Sequence, residues 1–128
     1  MKNWTQADID RLQGKPSSKQ NYQALGRLKS GVMNNTEKKY QAVLEARRLS
    51  GEVLQYWFEP MNLKLADKCF YRVDFLVLMH DLTLEIHEVK GGYITDDGLQ
   101  KVKIANAMFP FRFIMVQLVK KEWVIREF

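Results

Sequence analysis

The spacing of apolar residues shifts along the chain between the helical period of about 3.6 and the strand period of 2. Residues 1–33 show little of either. Thr5 can cap a short helix over 6–12, stopped by Gly14 and Pro16, and 17–29 is polar and basic around Tyr22, Leu25 and Leu28, an arm or a second short helix ended by Gly31. A stronger helix is predicted over 37–49, capped by Thr36, stopped by Gly51, with Tyr40, Val43 and Leu44 facing inward. After Gly51 the period becomes that of strands. Residues 53–59 read as extended up to Pro60, and 62–65 as a short strand with Leu63 and Leu65 on one face, followed by a turn at 66–68. Strands over 70–79 and 82–89 flank a turn at His80-Asp81, and Gly91-Gly92 ends the second. Asp96-Asp97-Gly98 opens a helix through Met108, with Leu99, Val102, Ala105 or Asn106, and Phe109 along one side, and Pro110 ends it. Strands over 111–119 and 123–128 flank Lys120-Lys121. This order predicts a single α/β domain over 34–128, a mixed central β-sheet with flanking helices, behind a basic N-terminal arm or pair of short helices at 1–33.

Composition narrows the class. A length of 128 residues, 46% of them hydrophobic, suits one domain with one core. No apolar run approaches the roughly 20 residues of a membrane span, and the first residues lack the apolar stretch of a signal peptide, so no membrane partner and an intracellular setting are expected. The single Cys69 cannot form an internal disulfide and, with two histidines, gives no zinc-ligand spacing; it reads as an apolar filler. The formal charge of +5 is uneven: residues 1–48 carry a balance of +6 and residues 49–128 one of −1. A basic segment beside a near-neutral body suits a polyanion, with Lys15, Lys19, Arg27, Lys29 and Lys38 as candidate phosphate contacts; the plainer alternative is a soluble Lys-rich end.

The strands at 70–79 and 82–89 carry the candidate chemistry. Alternation puts Asp74, Leu76 and Leu78 on one face of the first, and Leu84, Ile86, Glu88 and Lys90 on one face of the second. With a three-residue loop at 80–82, Met79 pairs with Thr83, Leu78 with Leu84, Leu76 with Ile86, and Asp74 with Glu88. Opposed Cβ atoms stand about 4.5–5.5 Å apart. Two carboxylates that close, backed by apolar residues, repel, and a divalent cation between them reverses the sign. Oxygen-only ligands point to Mg²⁺, for which Mn²⁺ may substitute. Lys90 can balance charge and orient or deprotonate an attacking water. The competing reading is a solvated Glu-x-Lys pair on a strand surface. His87 alternates away from Glu88 and reads, like His80, as structural or surface; Trp57, Phe58, Phe111 and Trp123 read as core.

Tyr71-Arg72-Val73-Asp74-Phe75, fourteen residues from Asp74 to Glu88, and Glu88-Val89-Lys90-Gly91 resemble the core of the PD-(D/E)XK nuclease superfamily. The wider string Asn35-Thr36-Glu37-Lys38-Lys39-Tyr40, Phe58-Glu59-Pro60 and Leu65-Ala66-Asp67, ending in a Lys-bearing helix before Phe109-Pro110, is similar to small phage-encoded endonucleases of the Holliday-junction-resolvase-like type, over roughly residues 34–128. Val73 stands where the family pattern has Pro. The resemblance implies a restriction-endonuclease-like core and Mg²⁺-dependent cleavage of DNA in phage recombination, repair or replication, within the cytoplasm of a bacterial host. It also implies a homodimer in many relatives. Asp74, Glu88, the Val89 carbonyl and a helix-borne acid would hold the metal and water, and Lys101 or Lys103 would touch substrate phosphate. Glu37 matches the helix-borne acid. Glu45 is the rival, about 80° further round the helix. The alternative function is nucleic-acid binding without catalysis on the same scaffold.

Overall fold

The computed structural model describes residues 31–128. Asn35–Phe128 forms one compact unit, to which the elements below belong. The expected helices at 6–12 and 17–29 lie outside the described residues.

Helix α1 (Asn35–Leu49) begins earlier than its sequence signal, so Thr36 lies inside its first turn rather than capping it. Its end follows the expectation. Gly51 adopts a left-handed φ of +87°, Glu52 N–H donates to the Arg47 carbonyl and Gly51 N–H to that of Arg48. This is a Schellman closure, which favours glycine because no Cβ opposes the positive φ. Tyr40 and Leu44 are buried along its inner face, with Val43 half-buried at the margin.

Seven strands follow among the described residues: β1 (Val53–Phe58), β2 (Asn62–Ala66), β3 (Cys69–Arg72), β4 (Phe75–Met79), β5 (Leu84–Lys90), β6 (Arg112–Val119) and β7 (Glu122–Glu127), with α2 (Asp96–Met108) between β5 and β6. The main sheet has the order β1-β4-β5-β6-β7. Its β5–β6 pair is parallel, bridged by α2, and its other pairs are antiparallel. The described residues are therefore α/β, with a mixed five-stranded sheet and two helices. No helix among the described residues is long and apolar enough to cross a membrane.

The expected single strand over 70–79 is not formed: the stretch is two strands. β3 leaves the main sheet to form a separate hairpin with β2, and the chain breaks at Val73-Asp74 before β4. The break is fixed by backbone bonds: Val73 N–H donates to the Met61 carbonyl, and Glu59 N–H to the Asp74 carbonyl.

The two faces of the sheet bury different partners. On one, Tyr40 of α1 packs edge-on against Phe75 and Trp123 and lies tilted to His87. On the other, Ile86, Phe113 and Met115 pack with Leu63 and Tyr71 of the hairpin and with Val102 and Ala105 of α2; Leu99, Phe109 and Phe111 border this cluster. Ala105, not Asn106, thus takes the buried place. Thr95 N-caps α2 by accepting from Gly98 N–H. Phe58 packs on Phe75, but Trp57, expected in the core, alternates to the other face of the edge strand β1 and is substantially exposed.

Candidate active site at the end of strand β5

The β4–β5 hairpin adopts the expected register, Leu78 with Leu84 and Leu76 with Ile86, and Met79 N–H donates to the Thr83 carbonyl. Residues exchanging backbone bonds in an antiparallel pair recur every second position. Met79–Thr83, Val77–Glu85 and Phe75–His87 are such pairs, and Val73–Val89 would be the next. The ladder stops one pair short, after Phe75–His87, because Val73 has turned to Met61. The vacated place is taken by a side chain: Asp74 Oδ2 accepts from Val89 N–H at 2.9 Å. Asp74 is therefore not a strand residue opposite Glu88 as expected. It sits at the break, and its carboxylate replaces the backbone acceptor that β4 no longer supplies. The Val89 carbonyl shares the side of the strand on which its N–H meets Asp74.

Glu88 is held from two directions. Its Oε2 accepts from the Tyr71 hydroxyl at 2.5 Å, and its Oε1 lies 3.0 Å from Lys90 Nζ. Tyr71 comes from β3, so the same departure that frees Asp74 from β4 brings a buried phenol onto Glu88. Lys90, at the end of β5, is partly open to solvent. Its ammonium lies 3.6 Å from where a Cβ on Gly98 would stand, beside the first turn of α2.

Glu37 reaches this end of the sheet through a close approach of backbone to helix. A Cβ on Gly91 would stand 2.3 Å from Thr36 Oγ1, so only glycine lets the first turn of α1 meet the chain leaving β5. Glu37, 8% exposed, lies in that turn. Glu45 instead turns to Arg48 Nη2 at 2.6 Å and the Tyr56 hydroxyl at 2.8 Å, which hold its carboxyl down at about 2.

The electrostatics of Asp74 follow. Burial and then the charge of Glu88 push its carboxyl well above the usual range, the Val89 N–H opposes them, Glu37 adds to the rise and Lys90 pulls against it. Burial and Glu88 likewise push the Tyr71 hydroxyl up. The sequence-predicted Glu37, Asp74, Glu88, Val89 and Lys90 thus form one interacting group. Lys101 and Lys103 are exposed on α2, with Lys101 Nζ 3.4 Å from the Phe70 carbonyl, and Lys38 is exposed on α1. Lys15, Lys19, Arg27 and Lys29 lie outside the described residues.

His87 belongs to a separate network on the other face. Its Nδ1 is 2.6 Å from the Tyr40 hydroxyl and its Nε2 2.9 Å from Glu85 Oε1, and Arg112 closes the chain on Glu85 Oε2 at 3.1 Å. A ring protonated on Nε2 satisfies both contacts.

Asp74, Glu88, Glu37 and the Val89 carbonyl offer only oxygen, which suits a hard cation that takes one or two carboxylates and keeps waters. Among the described residues, however, no three His, Cys, Asp or Glu side chains converge as a ready-made metal cage. Both Glu88 oxygens are turned to Tyr71 and Lys90. The donor chemistry fits Mg²⁺, and the side chains would have to turn from these partners to hold it.

Sequence reasoning missed Tyr71 as a partner of the site. Its signal was weak: it precedes Asp74 by three residues, but only the split of 70–79 into two strands of different sheets points it at Glu88. Comparison with protein-family models, with curated proteins and with solved structures found no match to this chain.

Proposed function

We propose that this protein is a Mg²⁺-dependent endonuclease that hydrolyses phosphodiester bonds in DNA, with a restriction-endonuclease-like core. Its setting would be phage recombination, repair or replication inside a bacterial cell, and branched DNA is a fitting substrate. The observation that carries the reading is Asp74: a half-buried carboxylate at a break in strand pairing, acted on by the charges of Glu88 and Glu37 and opposed by that of Lys90. Such an arrangement does not stabilise a fold and is expected where charge is to be neutralised by a ligand.

Asp74, Glu88 and the Val89 carbonyl would hold the metal, with Glu37 behind them holding water. When bound, Mg²⁺ would supply Lewis-acid polarisation of the phosphoryl oxygen and offset charge on the leaving oxygen. The protein's own groups do the rest. Lys90 Nζ, released from Glu88, would orient the attacking water and balance the negative charge that develops beside it. Asp74, fixed by Val89 N–H, keeps the acidic end in register with β5. Exposed Lys38, Lys101 and Lys103, with the basic residues before 31, supply sequence-independent contacts to phosphate.

A second reading has its own observation: both Glu88 oxygens are already engaged. This favours a nucleic-acid-binding protein without catalysis. The two separate on incubation with plasmid and branched DNA in Mg²⁺ or Mn²⁺, beside Asp74→Ala and Lys90→Ala. Cleavage lost in both variants supports the nuclease. Cleavage that survives both removes this site, and binding without cleavage in either metal supports the second reading.

A further inference from the structure

Strand β7 ends the main sheet, and among the described residues no strand pairs with its outer edge. Bare edges invite pairing with another chain, and proteins blunt them with bulges, prolines or charged side chains. β1, at the opposite edge, carries a register shift between Val53 and Gln55. β7 has neither a bulge nor a proline: its ladder to β6 runs from Val119–Glu122 to Ile114–Glu127 without a shift, and its charges, Glu122, Arg126 and Glu127, are of both signs and so can complement a second copy. It also exposes Val124 and Ile125, 51% and 65% accessible.

Backbone parity limits how this edge can pair. Lys120 and Lys121 both have positive φ, forming the two-residue turn that closes β6–β7 on the pair Val119–Glu122. Glu122, Val124 and Arg126 therefore turn their N–H and C=O groups inward to β6, in line with Phe128 N–H, which donates to the Phe113 carbonyl. Trp123, Ile125 and Glu127 turn theirs outward. Two copies of this edge, pairing antiparallel about a two-fold axis, must match outward residues with outward residues, so the axis passes through a residue and not between two.

The charges then choose the residue. With the axis at Val124, Glu122 faces Arg126 of the partner, Lys121 faces Glu127, Trp123 faces Ile125, and the two Val124 side chains meet. With the axis at Ile125, Trp123 faces Glu127 and Val124 faces Arg126; at Trp123, Lys121 faces Ile125. Only the Val124 register sets opposite charges and apolar side chains against their like across the axis. Opposed pairs of both kinds each favour an antiparallel ladder by about 0.2–1 kcal/mol.

We infer that the outer edge of β7 is a self-association surface, on which a second copy of this chain adds its own β7 antiparallel about Val124 to make one continuous sheet. The inference stands apart from the proposed nuclease activity, and its readout is mass, not cleavage. A six-residue ladder is at the small end of specific interfaces, so the 128-residue chain is expected to dimerise weakly, in a concentration-dependent way. Light scattering over a concentration series measures this. Glu122→Arg and Arg126→Glu alone each set like charges opposite twice per dimer and should raise the dissociation constant at least roughly tenfold, and the two combined should restore it. Ile125→Pro removes an outward N–H while sparing the bonds to β6, and should give a folded monomer by circular dichroism and mass. A wild-type monomer at every concentration overturns the inference, as does a dimer that survives Ile125→Pro. Failure of the double reversal to restore association overturns the register.

Discussion

Strand β5 carries two buried polar groups on opposite faces, and they are built on opposite principles. Glu85 and His87 belong to a chain in which each group meets a partner: the Tyr40 hydroxyl, the imidazole, the carboxylate, then Arg112, itself bonded to exposed Glu127. Glu85 is held below the usual carboxylate range, first by His87, and Tyr40 is pushed up to about 12 by burial. Glu88 and Asp74 lie together, the charge of Glu37 also acts on Asp74, Lys90 opposes them, and Asp74 is pushed the other way. A satisfied network of this kind holds a helix on a sheet. An unbalanced one costs stability and is expected where a ligand completes it. The two clusters should answer mutation in opposite ways.

The largest contrast is in activity. Asp74→Asn keeps a carbonyl oxygen for Val89 N–H and removes a disfavoured charge. Cleavage in Mg²⁺ should fall by more than about a hundredfold, beyond the 10–100-fold that outer partners of metal ligands are worth. The melting temperature should hold or rise. Loss of fold together with activity would erase the distinction between the clusters.

His87→Ala should do the reverse. It strands the Tyr40 hydroxyl and the Glu85 carboxylate in a site where His87 is nearly inaccessible, at a cost of about 2–4 kcal/mol. For a unit of this size that is a drop of roughly 10 °C or more in melting temperature. Below the transition, activity per folded molecule should change far less than in Asp74→Asn, as paired melting and cleavage assays will show.

How much of this contrast the sequence carries depends on how local each contact is. The pairing of Leu76 with Ile86 follows from hairpin parity alone, and with it the nearness of Asp74 to β5. That His87 faces away from Glu88 follows from the period of 2. Its Tyr40 partner, 47 residues away, does not, because helix-to-sheet pairing leaves no periodic trace. The split of 70–79 was hidden for a related reason: aromatic and branched residues mark a strand without saying which sheet it joins. The change of sheet at Val73 delivers both Tyr71 and the freed Val89 N–H, so the detail missed is the one that shapes the site.

Tyr71 tests whether that detail matters. Tyr71→Phe keeps the ring against Phe113 and removes only the hydroxyl from Glu88. Stability should change by about 1 kcal/mol. The Mg²⁺ concentration for half-maximal cleavage should shift by roughly 10–100-fold, in a direction that tells whether the phenol orients Glu88 for the metal or competes with it. An unchanged metal dependence would make Tyr71 a packing residue.

The finest contrast is in pH. Asp74 is raised in the folded state above its ordinary 3.8, so the folded protein binds more protons than the unfolded chain between the two values. Stability from this group is present below about 3.8 and is lost as pH rises toward its folded value. Glu85 is lowered below its ordinary 4.5, so its contribution is present above 4.5 and lost as pH falls through its folded value. Without divalent metal, Asp74→Asn should therefore gain on the wild type as pH rises from 4, by a few degrees in melting temperature. Glu85→Gln should lose on it over the same rise from acid pH. Added Mg²⁺ should shrink the first difference and leave the second unchanged, since a cation at the acidic end of β5 compensates Asp74 and has no partner beside Glu85. Melting curves across pH with and without Mg²⁺ measure both, and parallel behaviour of the two variants would mean that the clusters are not the electrostatic opposites their geometry describes.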